Sequence, residues 1–289
     1  MSKIILGTAQ FGMDYGVNNR RGRIPEKDVF AILDRASKDG IGTIDTAYLY
    51  GCSEEIIGAF IKSGKNTFKV VSKLPKCASE GVSKIFEETL KRLGMPSLYG
   101  YLIHSFESYE KDKRLWDELK KLKAEGRVEK IGFSLYLPAE LERLFKEGID
   151  IDILQLPFSV FDQRFDPYLA EIKNNGIELQ VRSIFLQGLV FKDLECLDTY
   201  FVKIKDKLEV LNALSVKLGV SIVSLCVNFT VANKFIDKVV VGVDSLLDLV
   251  EIISASKAGF LSKDVMHEIK NMRIDDEDIL LPFMWKLSN

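Results

Sequence analysis

Short runs of apolar and β-branched residues alternate with amphipathic helical patterns along nearly the whole chain of 289 residues. Eight of these runs are predicted as strands, over residues 3–8, 43–46, 68–72, 100–103, 130–133, 153–156, 179–182 and 239–241. Strands that alternate with helices pair in parallel. Eight such units in a chain of this length predict an α/β fold, a closed (β/α)₈ TIM barrel.

Helical patterns fill the intervals between the predicted strands. They lie over residues 26–38, 53–61, 82–93, 115–123, 139–145, 167–174, 198–218 and 221–230. An open doubly wound sheet, the alternative architecture, requires Gly-x-Gly-x-x-Gly after an early strand, whereas residues 7–12 read GTAQFG. We therefore predict a single barrel domain over residues 1–289, with a functional excursion at the barrel rim between residues 183 and 238.

Composition and charge argue against several classes of protein. The net charge is −2 and no long basic run is present, which argues against nucleic-acid binding. Four scattered cysteines and only two histidines argue against a disulfide framework or a metal site. We find no signal-peptide pattern and no apolar run long enough to span a bilayer, so we expect a cytoplasmic protein without a membrane partner.

Polar side chains follow three neighbouring predicted strands at the point where each strand ends. Asp45 closes the second strand, Lys73 the third and His104 the fourth, and Tyr50 lies one loop beyond Asp45. The carboxyl ends of barrel strands share one face, where catalytic residues lie. Taken singly, each side chain also fits a structural role, such as a loop cap or a buried histidine. Their convergence predicts a proton-transfer site.

These four groups suit the reduction of a carbonyl. Hydride addition leaves negative charge on the carbonyl oxygen, which an acid then protonates. A phenol such as Tyr50 is a weak acid near neutral pH, and an adjacent ammonium favours release of its proton. We expect Asp45 to hold Lys73 in its charged form and His104 to orient the substrate, while a nicotinamide supplies the hydride.

Several motifs resemble those of the aldo-keto reductase superfamily, and the likeness runs almost from end to end. GTIDTAYLYG over residues 42–51 is similar to the first signature of that family. VSK over residues 71–73 resembles its lysine strand, and YLIHS over residues 101–105 resembles its histidine strand. The resemblance implies a barrel enzyme that reduces aldehydes or ketones with a nicotinamide cofactor.

The resemblance also implies roles for the four polar residues, which we call the polar tetrad: Asp45, Tyr50, Lys73 and His104. Tyr50 is the implied proton donor. Tyr48 competes for that role, but the family spacing favours Tyr50 because it directly precedes a glycine.

A nicotinamide dinucleotide is the cofactor that the resemblance implies, with NADP(H) as the usual choice of the family. Ser134 and Gln155 resemble the residues that hold the nicotinamide amide, and residues 240–245 resemble the phosphate-binding turn. The full set of implied cofactor contacts is Gly7, Thr8, Ser134, Gln155, Arg182, Ser183, Leu186, Gly188, Gly242, Val243, Asp244, Ser245, Asp248 and Glu251.

The chain departs from the family pattern at several cofactor positions. Leu135 replaces the usual asparagine after Ser134, and Arg182 stands where many members have an aromatic residue. The Arg182 guanidinium can stack on the nicotinamide, or it can pair with an anionic substrate group or a carboxylate. Asp244 and Asp248 would repel the 2′-phosphate of NADP(H). NAD(H) as the cofactor, or use of both cofactors, is therefore an alternative.

Aromatic and apolar residues just past the predicted strand ends are candidates for an apolar substrate pocket above the nicotinamide, with ordinary packing at the rim as the alternative. They are Phe11, Met13, Tyr15, Phe106, Tyr136 and Phe158. The expected partner is a small-molecule carbonyl compound, such as an aldehyde or a sugar. Nothing in the surface pattern indicates an oligomeric state.

Two other functions remain open at this point. The chain resembles a family in which some members are redox-sensing, cofactor-binding subunits with little turnover. A non-redox lyase that uses Lys73 as a Schiff-base amine is a third possibility, although it leaves Ser134, Gln155 and Gly242 without a purpose.

Overall fold

The computed structural model describes residues 2–19, 21–64, 68–259 and 261–286. Its strands are β1 (Ile4–Gly7), β2 (Thr43–Asp45), β3 (Lys69–Leu74), β4 (Leu98–Ile103), β5 (Val128–Ser134), β6 (Ile153–Pro157), β7 (Glu178–Arg182) and β8 (Lys238–Val241). They pair in parallel and in chain order, and β8 pairs with β1 to close the barrel. The predicted (β/α)₈ barrel is confirmed.

Helices surround the barrel. They are α1 (Ala9–Gly12), α2 (Glu26–Lys38), α3 (Ser53–Lys62), α4 (Val82–Leu93), α5 (Phe106–Lys111), α6 (Arg114–Ala124), α7 (Pro138–Lys146), α8 (Leu169–Asn174), α9 (Lys205–Leu218), α10 (Ile222–Val231), α11 (Leu246–Lys257), α12 (Lys263–Lys270) and α13 (Glu277–Leu280). Short 3₁₀ turns lie at Ser79–Gly81, Asp166–Tyr168, Leu186–Phe191, Leu194–Cys196, Thr199–Ile204 and Pro282–Met284.

Periodic apolar residues explain why the outer helices form where they do. In α4, Val82, Phe86, Leu90 and Leu93 recur at helical spacing and are buried against the barrel. α4 packs closely on α3 because Gly58 has no side chain there. A Cβ at residue 58 would lie 2.1 Å from the carbonyl oxygen of Arg92.

The excursion after β7 differs from the prediction in one respect. Its first helical stretch begins with the 3₁₀ turn Thr199–Ile204, and α9 starts only at Lys205. Over the described ranges, no single helix is long and apolar enough to cross a membrane. The stretches 199–218 and 222–231 together have the length and apolar composition of a membrane span, but the chain bends by 95° between them.

Candidate active site

A buried ion pair stands at the centre of the site. The Lys73 ammonium Nζ lies 2.6 Å from Oδ1 of Asp45 and also donates to the carbonyl oxygen of Thr46 at 2.9 Å. Both charged side chains are less than 5% exposed. β2 and β3 are neighbours in the barrel, so their carboxyl ends bring the two groups together as the sequence predicted.

Tyr50 and His104 complete the polar tetrad. Their rings meet edge to face with centroids 6.1 Å apart, and the ammonium of Lys73 lies 5.1 Å from the centroid of the Tyr50 ring. A tight turn places the phenol, because the backbone N–H of Tyr50 donates to the carbonyl of Ala47. Gly51 has φ of 54° and lies so close to the backbone of residue 12 that a Cβ would not fit.

Burial sets the protonation states of the tetrad. It raises the pKa of Tyr50 well above the usual range, with a further rise from Asp45 and an opposing effect from Arg182. Burial also lowers the pKa of Lys73, against the pull of Asp45. The pKa of His104 falls to about 3 because of burial and the positive charges of Lys73 and Arg182. The site therefore holds a protonated phenol and a neutral imidazole.

The raised pKa of Tyr50 differs from the expectation that Lys73 makes this phenol more acidic. Burial is the largest cause of the raised pKa, and the charge of Asp45, which pairs with Lys73 at 2.6 Å, adds to it.

Tyr48 has a different environment from Tyr50. Its hydroxyl donates to Glu88 at 2.8 Å, and the guanidinium of Arg92 covers its ring at 4.1 Å. Tyr50 lines the central cavity whereas Tyr48 does not, which agrees with the choice of Tyr50 as the candidate donor.

A cavity of about 380 Å³ opens at the carboxyl ends of the strands and collects most of the residues that the sequence singled out. Those that line it are Gly7, Thr8, Asp45, Tyr50, Lys73, His104, Ser134, Tyr136, Gln155, Arg182, Ser183, Gly188, Gly242, Val243, Asp244, Asp248 and Glu251. The tetrad therefore shares one continuous space with the candidate cofactor residues.

Ser134 and Gln155, two of the residues that line this cavity, carry buried polar atoms. Among the described residues, the Oγ of Ser134 and the Oε1 of Gln155 are buried without a hydrogen-bond partner. The other amide atom of Gln155, Nε2, donates to Oδ2 of Asp45 at 2.8 Å. A hydroxyl donor beside an amide acceptor complements a carboxamide, which carries one acceptor and one donor. These residues therefore fit the amide of a nicotinamide.

The far end of the cavity meets the start of α11. Ser245 caps that helix by accepting from the backbone N–H of Asp248, and Oδ2 of Asp248 accepts from the N–H of Asp244. Burial, together with the charge of Asp248, raises the pKa of Asp244. The positive charge of Arg21 opposes that rise, so the loop after β1 brings a cation that local sequence reasoning missed.

The expected apolar pocket needs correction. Phe11 is fully buried in α1, Phe158 stacks on Phe229 at 5.5 Å, and Phe106 packs on Tyr109 at 5.8 Å. These side chains turn into the layer between barrel and helices, where apolar surface is best removed from water.

Other predicted contacts also fall outside the cavity lining. Met13 is 36% exposed at the surface, and Leu186 is buried. Ser245 caps its helix instead of lining the cavity. Of the aromatic candidates, Tyr15 and Tyr136 do line it.

Arg182 lies on the cavity wall at the end of β7. Its Nη2 donates to the carbonyl of Leu135 at 3.0 Å, and its Nη1 donates to Oγ of Ser183 at 3.2 Å. The guanidinium carbon lies 4.1 Å from the centroid of the Tyr136 ring. Leu135, which replaces the family's asparagine, is buried and anchors Arg182 through its backbone.

Several polar residues that line the cavity were not predicted: Gln10, Asn18, Asn19 and Gln187. Gln187 follows Leu186 in the stretch VRSIFLQG over residues 181–188, and its positive φ of 53° marks an unusual turn. The two asparagines come from the loop after β1, which carries no motif. Over the described ranges, no group of three or more His, Cys, Asp or Glu side chains is placed to hold a metal ion.

Comparison with known proteins places these features in context. The model of the Aldo/keto reductase family matches residues 3–274. An uncharacterized oxidoreductase of Schizosaccharomyces pombe is 28% identical over 205 residues, which cover 68% of this chain and 74% of that protein. The glyoxal reductase of Bacillus subtilis is 31% identical over 164 residues, covering 53% of this chain and 56% of the reductase.

Solved structures show the same fold. The holo form of an aldo-keto reductase from Bacillus halodurans superposes with a TM-score of 0.77 at 19% sequence identity. The match covers 94% of this chain and 92% of that one.

Proposed function

Because the chain belongs to the aldo/keto reductase family, we propose that Tyr50 is the proton donor of its reaction. The protein is an NAD(P)H-dependent oxidoreductase that reduces carbonyl compounds. The observation that carries the proposal is the shared cavity. Tyr50, His104 and the Lys73–Asp45 pair lie on the same cavity as the unpartnered atoms of Ser134 and Gln155.

The cofactor would lie between these two groups of residues. Ser134 and Gln155 would hold the nicotinamide amide, and the residues from Gly242 to Asp248 would hold the adenylate end. When bound in its reduced form, the cofactor supplies a hydride and leaves oxidised.

The residues of the tetrad then divide the remaining work. The neutral His104 donates a hydrogen bond from its ring N–H that orients the carbonyl oxygen toward Tyr50. As the carbonyl carbon gains the hydride, its oxygen takes the phenolic proton, so one C–H bond and one O–H bond form. The Lys73 ammonium, held by Asp45, stabilises the negative charge that stays on the Tyr50 oxygen. Bulk solvent subsequently returns a proton to Tyr50.

The Tyr50→Phe variant tests this assignment. It removes the transferable proton and keeps the ring, so we expect turnover to fall about 10²- to 10⁴-fold while cofactor affinity stays within about 3-fold. Cofactor oxidation measures the first quantity and fluorescence titration the second. Tyr48→Phe is the matched control and should retain turnover. Wild-type rates in Tyr50→Phe would refute the assignment.

We also propose that the enzyme uses NADH at least as well as NADPH. Asp244 and Asp248 line the cavity where the adenosine ribose would lie, and carboxylates favour a free 2′-hydroxyl over a phosphate. The positive charge of Arg21, which acts to lower the pKa of Asp244, limits this preference. Equilibrium affinities for the two cofactors test the proposal.

The alternative functions make different predictions for the same measurements. A redox-sensing subunit would bind cofactor tightly and show no turnover with any carbonyl. A lyase would need a free amine at Lys73, but this amine is buried and donates to both Asp45 and Thr46. That arrangement argues against Schiff-base chemistry.

A further inference from the structure

Arg182 lines the cavity, and among the described residues no carboxylate forms an ion pair with it within 4.0 Å. We infer that the carbonyl substrate carries an anionic group, a carboxylate or a phosphate, and that Arg182 is the residue that binds it. This inference rests on the proposed carbonyl reduction and names the class of its substrate.

The first argument is that Arg182 is held in place. Its guanidinium donates to the carbonyl of Leu135 and to Oγ of Ser183, and it lies against the ring of Tyr136. Tyr136 is itself packed edge to face on Phe283 at 5.1 Å. A fixed guanidinium is preorganised to bind a carboxylate or phosphate through its N–H fork.

The second argument is the missing counter-charge. Among the ion pairs of the described residues, none within 4.0 Å includes Arg182. The carboxylate of Glu140 feels the charge of Arg182, which acts to lower its pKa, but no ion pair within 4.0 Å joins the two. Its Oε2 instead accepts from the backbone N–H groups of Tyr136 and Leu137 at 2.7 and 3.0 Å. A guanidinium has five N–H groups, and the two hydrogen bonds found here leave others free for a ligand.

Arg164 shows how this chain treats an arginine with a structural role. Its Nε and Nη2 bind both carboxylate oxygens of Asp162, at 2.9 and 2.8 Å, away from the cavity. Arg182 is charged, partly buried and unpaired by contrast. A partly buried charge without an ion-pair partner costs free energy, which a bound anion would offset.

The third argument is the position of Arg182 relative to the chemistry. Its positive charge acts to lower the pKa of both Tyr50 and His104, in Tyr50 against the larger effect of burial. An anion bound there would lie beside the carbonyl that Tyr50 protonates. The cavity lining also carries the phenols of Tyr15 and Tyr136, the two members of the expected pocket that do line it.

Stacking of Arg182 on the nicotinamide is the competing role. The Tyr136 ring already covers the guanidinium at 4.1 Å, and the two anchoring hydrogen bonds orient its edge. This arrangement favours a role for the N–H edge over a role for the face.

Paired aldehydes that differ in the anionic group test the inference on the wild-type enzyme with NADH and NADPH. 4-Oxobutanoate is compared with butanal for a carboxylate, and glyceraldehyde 3-phosphate with glyceraldehyde for a phosphate. We expect one anionic member to exceed its neutral partner in kcat/KM by about 10- to 100-fold, the range of a charge-assisted hydrogen bond. The pair with the larger ratio identifies the anion.

The Arg182→Gln variant should remove this preference. We expect kcat/KM to fall about 10- to 100-fold further for the anionic aldehyde than for the neutral one, because only the anionic substrate loses its counter-charge. Arg182→Lys keeps the charge and should recover part of the loss. Arg273→Gln, at an exposed arginine that pairs with Asp275, is the matched control and should leave both ratios unchanged.

Several outcomes would overturn the inference. If the wild type reduces neutral aldehydes as well as anionic ones, the inference is wrong and the proposed reductase function still stands. An equal loss for both members of a pair in Arg182→Gln, with weaker cofactor binding, would assign Arg182 to the cofactor. Absence of turnover with every aldehyde would refute the reductase function together with the inference.

Discussion

The carboxylate of Asp45 accepts hydrogen bonds from two residues that serve different parts of the cavity. Oδ1 binds the Lys73 ammonium, and Oδ2 binds Nε2 of Gln155. The second bond fixes the orientation of the Gln155 amide and leaves its Oε1 as the buried acceptor. One carboxylate therefore positions both the charge beside Tyr50, the proposed proton donor, and the acceptor suited to the cofactor amide.

The low pKa of His104 predicts a pH dependence of stability. The folded-state pKa is about 3, and the unfolded value is near 6.5. As pH falls below about 6.5, the unfolded chain binds a proton that the folded site refuses, so the folded state loses stability. Between pH 7 and pH 5 this contribution is about 2 kcal/mol.

His104→Gln removes this effect because glutamine does not titrate. Urea unfolding at pH 7, 6 and 5 should show wild type losing stability faster than the variant, while all other groups contribute equally to both. Parallel pH profiles for the two proteins would mean that His104 titrates normally in the folded state.

The tetrad and the aromatic residues differ in how far sequence predicts their location. Asp45, Lys73 and His104 lie at strand ends, and parallel strands fix the face on which they meet. Phe11 and Phe106 come one step later, where the chain has already entered α1 or α5. The geometry of the first helical turn decides whether a side chain there points to the cavity or to the core. No sequence motif specifies that geometry.

At the scale of elements, periodicity locates most of the long helices, although α11 over Leu246–Lys257 is not among the predicted stretches. α2 and α4 have the bounds that the sequence predicts, because each has a full apolar stripe and a glycine beyond its end. The short helices α1 and α5 escape prediction, since fewer than two turns show no period. The excursion after β7 mixes 3₁₀ and α geometry, and its turn at Gln187 depends on contacts across the mouth.

The contact between α3 and α4 gives a prediction at this scale. A methyl group at Gly58 would meet the carbonyl of Arg92 at 2.1 Å, so the two helices must separate. Gly58→Ala should lower the free energy of unfolding by about 1–3 kcal/mol. Gly42→Ala is the control, because nothing lies within 4 Å of a Cβ there. Equal denaturation midpoints for both variants would show that the contact is not tight.

At the scale of the whole molecule, the barrel brings both ends of the sequence to one cavity. β1 pairs with β8, and the lining extends from Gly7 to Ile252. A ligand in this cavity touches elements that lie far apart along the chain. Its binding energy therefore adds to the stability of the closed barrel, because the unfolded chain lacks the site.

Thermal unfolding with each cofactor tests both this coupling and the cofactor preference. A cofactor at about 100 times its Kd should add about 2.7 kcal/mol, which raises Tm by about 4 °C in a protein of this size. Because Asp244 and Asp248 line the part of the cavity that we propose for the adenosine ribose, we expect NADH to raise Tm at least as much as NADPH at equal concentration. Asp248→Asn should reduce the difference between the Tm increases that NADH and NADPH produce, because it weakens repulsion of the 2′-phosphate. Asp264→Asn in α12 is the control and should leave this difference unchanged. A much larger rise with NADPH in the wild type would show that Arg21 outweighs the two carboxylates.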